Sequence, residues 1–157
     1  MIYCHIIIAV ILLTASASRA DEIKPGQPAA GDKCPVCGMF VAKYPDFLAQ
    51  LVFRDGRHVF FDGVKDMMKY YFNLPKYDPS KNSSDIIAIF VTDYYTLSPI
   101  DGFKAYYVYG SNVYGPMGKE LVPFREESDA KGFIRDHMGK SSMQFKDINS
   151  NLVKLLD

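Results

Sequence analysis

Hydrophobic and polar positions change their spacing several times along this chain. Residues 6–13 form an unbroken apolar run, Ile-Ile-Ile-Ala-Val-Ile-Leu-Leu. The run is too short to cross a bilayer as a helix. Small residues follow it, with Ser18-Arg19-Ala20 before Asp21 and Ala15-Ser16-Ala17 as possible cleavage sites. That build is a secretory signal peptide over residues 1–20, although Met1 to His5 carry no Lys or Arg. Residues 21–33 are rich in Pro, Gly and Ala and read as a flexible, extended lead-in. Strand-like runs then occupy 48–53 and 58–61, around Arg54-Asp55-Gly56-Arg57, where Asp-Gly signals a hairpin. Val64, Met67, Met68 and Tyr71 recur at i, i+3, i+4 and i+7, which predicts an amphipathic helix with Asp62 as its N-cap. Residues 73–84 read as a loop and 86–92 as a continuous apolar strand.

The same order returns in the second half. Residues 104–109 predict a strand, Gly110-Ser111-Asn112 a turn and 120–124 a further strand. Ser128 is placed to cap a helix in which Ala130, Phe133, Ile134 and His137 share one face. Residues 143–148 predict a last strand, and 97–103 join the halves. The expected class is α+β, with two related small ββαβ-type units, 34–96 and 97–157, built on mixed sheets. The halves share no strong residue-by-residue identity, so the repeat is one of topology. No glycine-rich phosphate loop follows a strand, and nothing supports nucleotide binding.

Composition narrows the functions. Hydrophobic residues make up 48% and charged residues 23%, as in a globular domain. Eighteen basic residues balance eighteen acidic ones, so no general electrostatic case exists for nucleic acid. Removing residues 1–20 takes away Cys4 and leaves two cysteines, Cys34 and Cys37. They are too few for a disulfide scaffold.

Those two cysteines form the densest chemical feature, Cys34-Pro35-Val36-Cys37-Gly38-Met39. Two thiols at this spacing bind a soft metal ion or close into a short disulfide. Met39 adds a thioether, and thiolate with thioether favours Cu(I) among common biological metals. Met117 lies in Gly115-Pro116-Met117-Gly118, a turn-like setting away from any helical packing position. A second CxxC, as a zinc ribbon needs, is absent, and no strand precedes the motif as in a thioredoxin-like site. His58 falls in a strand. His137 falls on the apolar face of the second helix, where a core histidine is the commoner reading. No residues meet the pattern of nucleophile, base and orienter.

The motif Cys-Pro-Val-Cys-Gly-Met, with Phe60-Phe61-Asp62-Gly63, Val91-Thr92-Asp93-Tyr94 and Met117-Gly118-Lys119-Glu120-Leu121-Val122-Pro123-Phe124, resembles the NosL family. The resemblance spans about residues 33–148. It implies a copper chaperone of the bacterial cell envelope that binds Cu(I) and helps supply nitrous oxide reductase, with two related ββαβ halves. Carried over by motif, it implies Cys37 and Met117 as metal ligands, with Cys34 and Met39 the next candidates. His137 reads His-Met-Gly where many relatives have His-Gly-Gly, so no ligand role is assigned to it. The client expected is nitrous oxide reductase, within an envelope maturation complex. No cysteine follows the small-residue stretch, so the expectation is a soluble periplasmic protein without a lipid anchor. Two rival functions follow from the residues: a thiol–disulfide oxidoreductase using Cys34 and Cys37, and a structural module in which the pair is a staple.

Overall fold

The computed structural model describes residues 23–157; the segment read as a signal peptide, with Cys4, lies outside them. Strand β1 (Ala49–Phe53) and strand β2 (His58–Phe61) form the expected hairpin. Helix α1 (Val64–Phe72) follows and buries Val64, Met67, Met68 and Tyr70. Tyr71 is half-buried and meets Phe145 edge-on. The expected loop after α1 contains a short helix, α2 (Leu74–Tyr77), started by Pro75 in its first turn. Strand β3 (Ile86–Thr92) then pairs with β1 on the side opposite β2. The expected join contributes a short strand, β4 (Pro99–Asp101), to the edge of this sheet, giving the order β2-β1-β3-β4.

The second sheet repeats that plan. Strand β5 (Tyr106–Tyr109) is central, flanked by β8 (Val122–Phe124) and by β9 (Ser141–Gln144). Helix α3 (Glu127–Asp136) connects β8 to β9. A two-stranded ribbon, β6 (Tyr114–Gly115) and β7 (Gly118–Lys119), is inserted between β5 and β8. In both sheets the first strand lies between its hairpin partner and the strand after the helix. The α+β class and the topological repeat are therefore present. The sheets are not mixed: every pairing among the described strands is antiparallel. The helix crossover would make β2 and β3 parallel neighbours, but β1 lies between them and runs opposite to both.

The lead-in lies against the first sheet. The Gly26 amide donates to Gln50 Oε1 at 2.8 Å, and Gln50 Nε2 donates to the Gly26 carbonyl at 3.2 Å. The final segment forms helix α4 (Ser150–Lys154), capped by Asn149, with Val153 and Leu156 buried. Both join the core of the first sheet, as do Leu121 and Ile148 from the second half. A smaller core of Val108, Val122, Phe124, Ala130 and Phe133 sits under α3. No helix among the described residues is long and apolar enough to cross a membrane.

Asp93, just after β3, fastens the two halves. Its Oδ1 accepts from the amides of Tyr95 and Thr96 and from the Thr96 hydroxyl, and its Oδ2 accepts from the Arg125 amide at 2.7 Å. Burial alone would push this carboxyl up, but the donors outweigh it and hold it below the ordinary carboxylate range. Its stabilising contribution is thus present above the unfolded carboxyl's pKa and is lost as pH falls through the lower folded value. Asp93→Ala leaves buried donors without an acceptor and is expected to cost about 1–3 kcal/mol at neutral pH. Urea unfolding should show that gap narrowing on acidification.

Candidate metal centre

The thiol loop is shaped by its own backbone. The Cys34 amide donates to the Met39 carbonyl at 2.9 Å, and the Gly38 amide returns to the Cys34 carbonyl at 2.8 Å. Lys33 bridges to Phe40, which closes the loop at its base. Gly38 has φ +80°, a conformation that penalises any side chain, and it turns the chain directly after Cys37. Cys34 points into the core with 1% exposure, while Cys37 is half-buried. Both thiols are free.

Two carboxylates face them. Asp62 follows β2, and Asp66, four residues on, sits in the first turn of α1. Both are buried, at 1% and 2% exposure. Cys37 Sγ donates to Asp62 Oδ1 at 3.1 Å, and Cys34 Sγ donates to Asp66 Oδ2 at 3.6 Å. One donor atom from each of these four residues lies within 4.8 Å of the other three. Asp62 Oδ2 is buried and has no hydrogen-bond partner among the described residues. Lys69 Nζ stands 3.6 Å from Asp66 Oδ1. Burial, with the neighbouring carboxylates, pushes the Cys34 thiol up to about 11 and the Cys37 thiol upward as well.

Asp62 therefore does not cap α1. The N-cap is Gly63, without a side-chain bond. The first-turn amide of Lys65 is instead satisfied by Glu120 Oε1 at 2.5 Å, from 55 residues away. Gly63 is needed there, because a Cβ would collide with the Glu120 carboxylate. Burial pushes Glu120 up to about 8, partly offset by the Leu121 and Lys65 amides. Ser128 likewise lies inside α3, whose N-cap is Glu126.

The remaining candidates are distributed as follows. Met117 sits in the turn between β6 and β7 and is 44% exposed. Its carbonyl accepts from Lys65 Nζ at 2.6 Å, so the methionine hairpin is tied to the helical turn that carries Asp66. Met39 is half-buried, and its carbonyl is the one that anchors Cys34. His137 stacks on Phe133 with ring centroids 4.4 Å apart, in the aromatic group under α3. His58 Nδ1 lies 2.9 Å from Gln50 Oε1. Sequence reasoning missed Asp66, Lys65 and Glu120 and gave Asp62 a different task. The available signal was the i, i+4 spacing of Asp62 and Asp66 immediately after a strand.

The arrangement offers two soft thiol donors and two carboxylates in one partly covered pocket. With its pKa near 11 instead of 9, Cys34 should carry on the order of a hundredfold less thiolate at neutral pH than an ordinary cysteine. Iodoacetamide should therefore modify the native protein slowly, and the burial of Cys34 should make it the less accessible of the two thiols. Asp62→Asn should speed alkylation at Cys37, followed by mass spectrometry against time.

The NosL family model matches residues 25–153. The copper-binding lipoprotein NosL of Stutzerimonas stutzeri is 28% identical over 162 residues, covering 94% of this chain and 81% of that protein. The crystal structure of the copper chaperone NosL from Shewanella denitrificans superposes with a TM-score of 0.69 at 24% identity, covering 83% of this chain and 99% of that one. The solution structure of apo-NosL from Achromobacter cycloclastes gives a TM-score of 0.48 at 28% identity, over 67% of this chain and 87% of that one. The lipoprotein relative overturns the expectation of a soluble periplasmic protein without a lipid anchor. That expectation rested on the absence of a cysteine after the small residues 15–20, a segment outside the described residues.

Proposed function

This chain belongs to the NosL family, and from that membership we propose that it carries Cu(I) and hands it to a cuproenzyme client, nitrous oxide reductase. The copper ion is cargo in this reading, and no catalytic step is assigned. The observation that carries it is the pair of free thiols held side by side in the closed loop 33–40. Thiolates are the preferred donors for Cu(I), and a thioether adds to them.

Cys37 is the primary ligand, with Cys34 as its inner partner. Met117, on the hairpin that Lys65 ties to α1, completes the set, and Met39 is the alternative thioether. In this reading Cys37, which is half-buried, and Met117, which is exposed, would form the outer side of the site. An incoming donor on the client would attack from that side, while buried Cys34 releases last. Low coordination permits such stepwise exchange without free copper.

A thiol–disulfide exchange role is supported less. A nucleophilic cysteine needs a lowered pKa, commonly at a helix N-terminus or beside a cation. Here burial and carboxylates push both thiols the other way.

Anaerobic titration of the reduced protein with Cu(I) against a competing chelator tests the reading. One equivalent should bind tightly, and Cys37→Ser should weaken it on the order of a hundredfold or more, about 2.7 kcal/mol. Unchanged affinity in that variant would sink the assignment. Met117→Ala should cost less, about tenfold, because a neutral thioether is the weaker donor.

The pH dependence has a fixed sign. Both thiols are protonated at neutral pH, so binding displaces their protons. Affinity should weaken as pH falls, about tenfold per pH unit for each proton displaced. The same titration repeated across the neutral range measures the slope.

A further inference from the structure

Beside the thiol loop, helices α1, α2 and α4 enclose a cleft of about 620 Å3. We infer that this cleft is the docking surface for an acidic segment of a partner protein, a stretch of carboxylate side chains around one apolar residue. The surface stands on its own observations, while its use in copper handover rests on the copper reading.

The charge of the cleft comes first. Its charged lining is Lys69, Lys76 and Lys154 against Asp157. In a chain whose basic and acidic residues balance, that is a local positive excess. Its concave setting concentrates the field. The one acid shows what these lysines accept: the Asp157 carboxylate pairs with Lys69 Nζ. Lys76 and Lys154 are exposed and have no carboxylate partner among the described residues. Lys76 Nζ instead lies over the Tyr77 ring, 4.8 Å from its centroid. An entering acidic segment thus meets two unpaired cations, and a third whose present partner is itself exposed and replaceable.

The walls between these charges are apolar. Phe72, Tyr77, Val153 and Val36 line the cleft, and Phe72 is 38% exposed. An exposed aromatic ring in a concave setting is a common anchor point of protein interfaces. The volume encloses a few side chains, which a protein segment supplies and a layer of lipid headgroups does not. Position agrees with charge. Val36 stands between Cys34 and Cys37, so a segment seated in the cleft lies alongside the thiol loop. Lys69 belongs to both places, since Asp66, 3.6 Å from its Nζ, accepts from the Cys34 thiol. Exposed lysine–carboxylate pairs steer an encounter and are individually weak, which suits a partner that must leave again.

Amide-resolved NMR of the reduced, metal-free protein tests the surface. The probe is the capped peptide Glu-Asp-Phe-Glu-Asp, with Gln-Asn-Phe-Gln-Asn as its neutral control. At millimolar concentration the acidic peptide should shift the amides of Val36, Phe72, Lys76 and Ser150 and leave those of α3 in place. Raising NaCl from about 0.15 M to about 1 M shortens the screening length from about 8 Å to about 3 Å and should weaken binding roughly tenfold. Lys76→Gln and Lys154→Gln should each weaken it roughly threefold, and together roughly tenfold. The double variant should keep the parental spectrum outside the cleft and Cu(I) affinity within about twofold. Absence of shifts, an equal response to the neutral peptide, or parental peptide affinity in the double variant would overturn the surface. So would the same amides shifting with vesicles of phosphatidylglycerol and phosphatidylcholine while the peptide stays silent, since the cleft would then be a membrane face. The peptide is read without metal, so its failure leaves the copper reading standing. Peptide shifts in a parent protein that fails to bind Cu(I) would overturn the copper reading and leave the surface.

Discussion

The carboxylate of Glu120 caps a helix 55 residues away, and the candidate metal centre depends on that bond. An α-helix leaves its first amides unsatisfied, and a nearby side chain usually accepts from one of them. Here the acceptor comes from the second half of the chain and binds the Lys65 amide. Gly63 provides the space for it. Asp62, released from capping, turns its carboxylate to the Cys37 thiol. The cost is a buried carboxylate whose pKa rises to about 8. The return is a fixed relation between the helix, the thiol loop and the methionine hairpin.

That relation explains the insertion in the second unit. The two sheets share one plan, but only the second carries the β6–β7 ribbon. Through Glu120 and the Met117 carbonyl, the base and tip of this insertion are bonded to Lys65, in the first turn of α1. Lys65 is 3% exposed, and its ammonium also donates to the Leu156 carbonyl, so the tail after α4 closes the same corner. Asp93 fastens the halves at a second place, through the Arg125 amide. Buried carboxylates thus tie the two sheets together at separate points, and the centre lies beside one of them.

The polarity of that centre has two consequences of opposite character. Burial, with the carboxylates beside them, holds the thiols protonated, which quiets them as nucleophiles. The same carboxylates add hard donors to soft ones within one pocket. Under the copper reading, a cargo ion must displace protons to enter. A client that offers thiolate or thioether donors competes with these thiols for the ion, and protons returning to the thiols assist release.

Much of the fold was legible along the chain. Strand-like apolar runs placed β2 and β3 to the residue, and helical spacing found α1, because such patterns record how a local element meets the core. The cysteines, Met117 and the family motifs stood out by residue type and spacing alone. Asp62 was visible only as a helix cap, since a cap is the local explanation for an acidic residue before an apolar-periodic run. Asp66 gave no signal of its own, because an acidic residue in a first helical turn is ordinary. Their meeting with Cys34 and Cys37, the tie from Lys65 to Met117 and the cap from Glu120 join residues 25 to 55 positions apart. Periodicity is a local property and was fixed by the sequence. Which buried polar group finds which partner depends on how distant elements pack, and only the tertiary structure decided that.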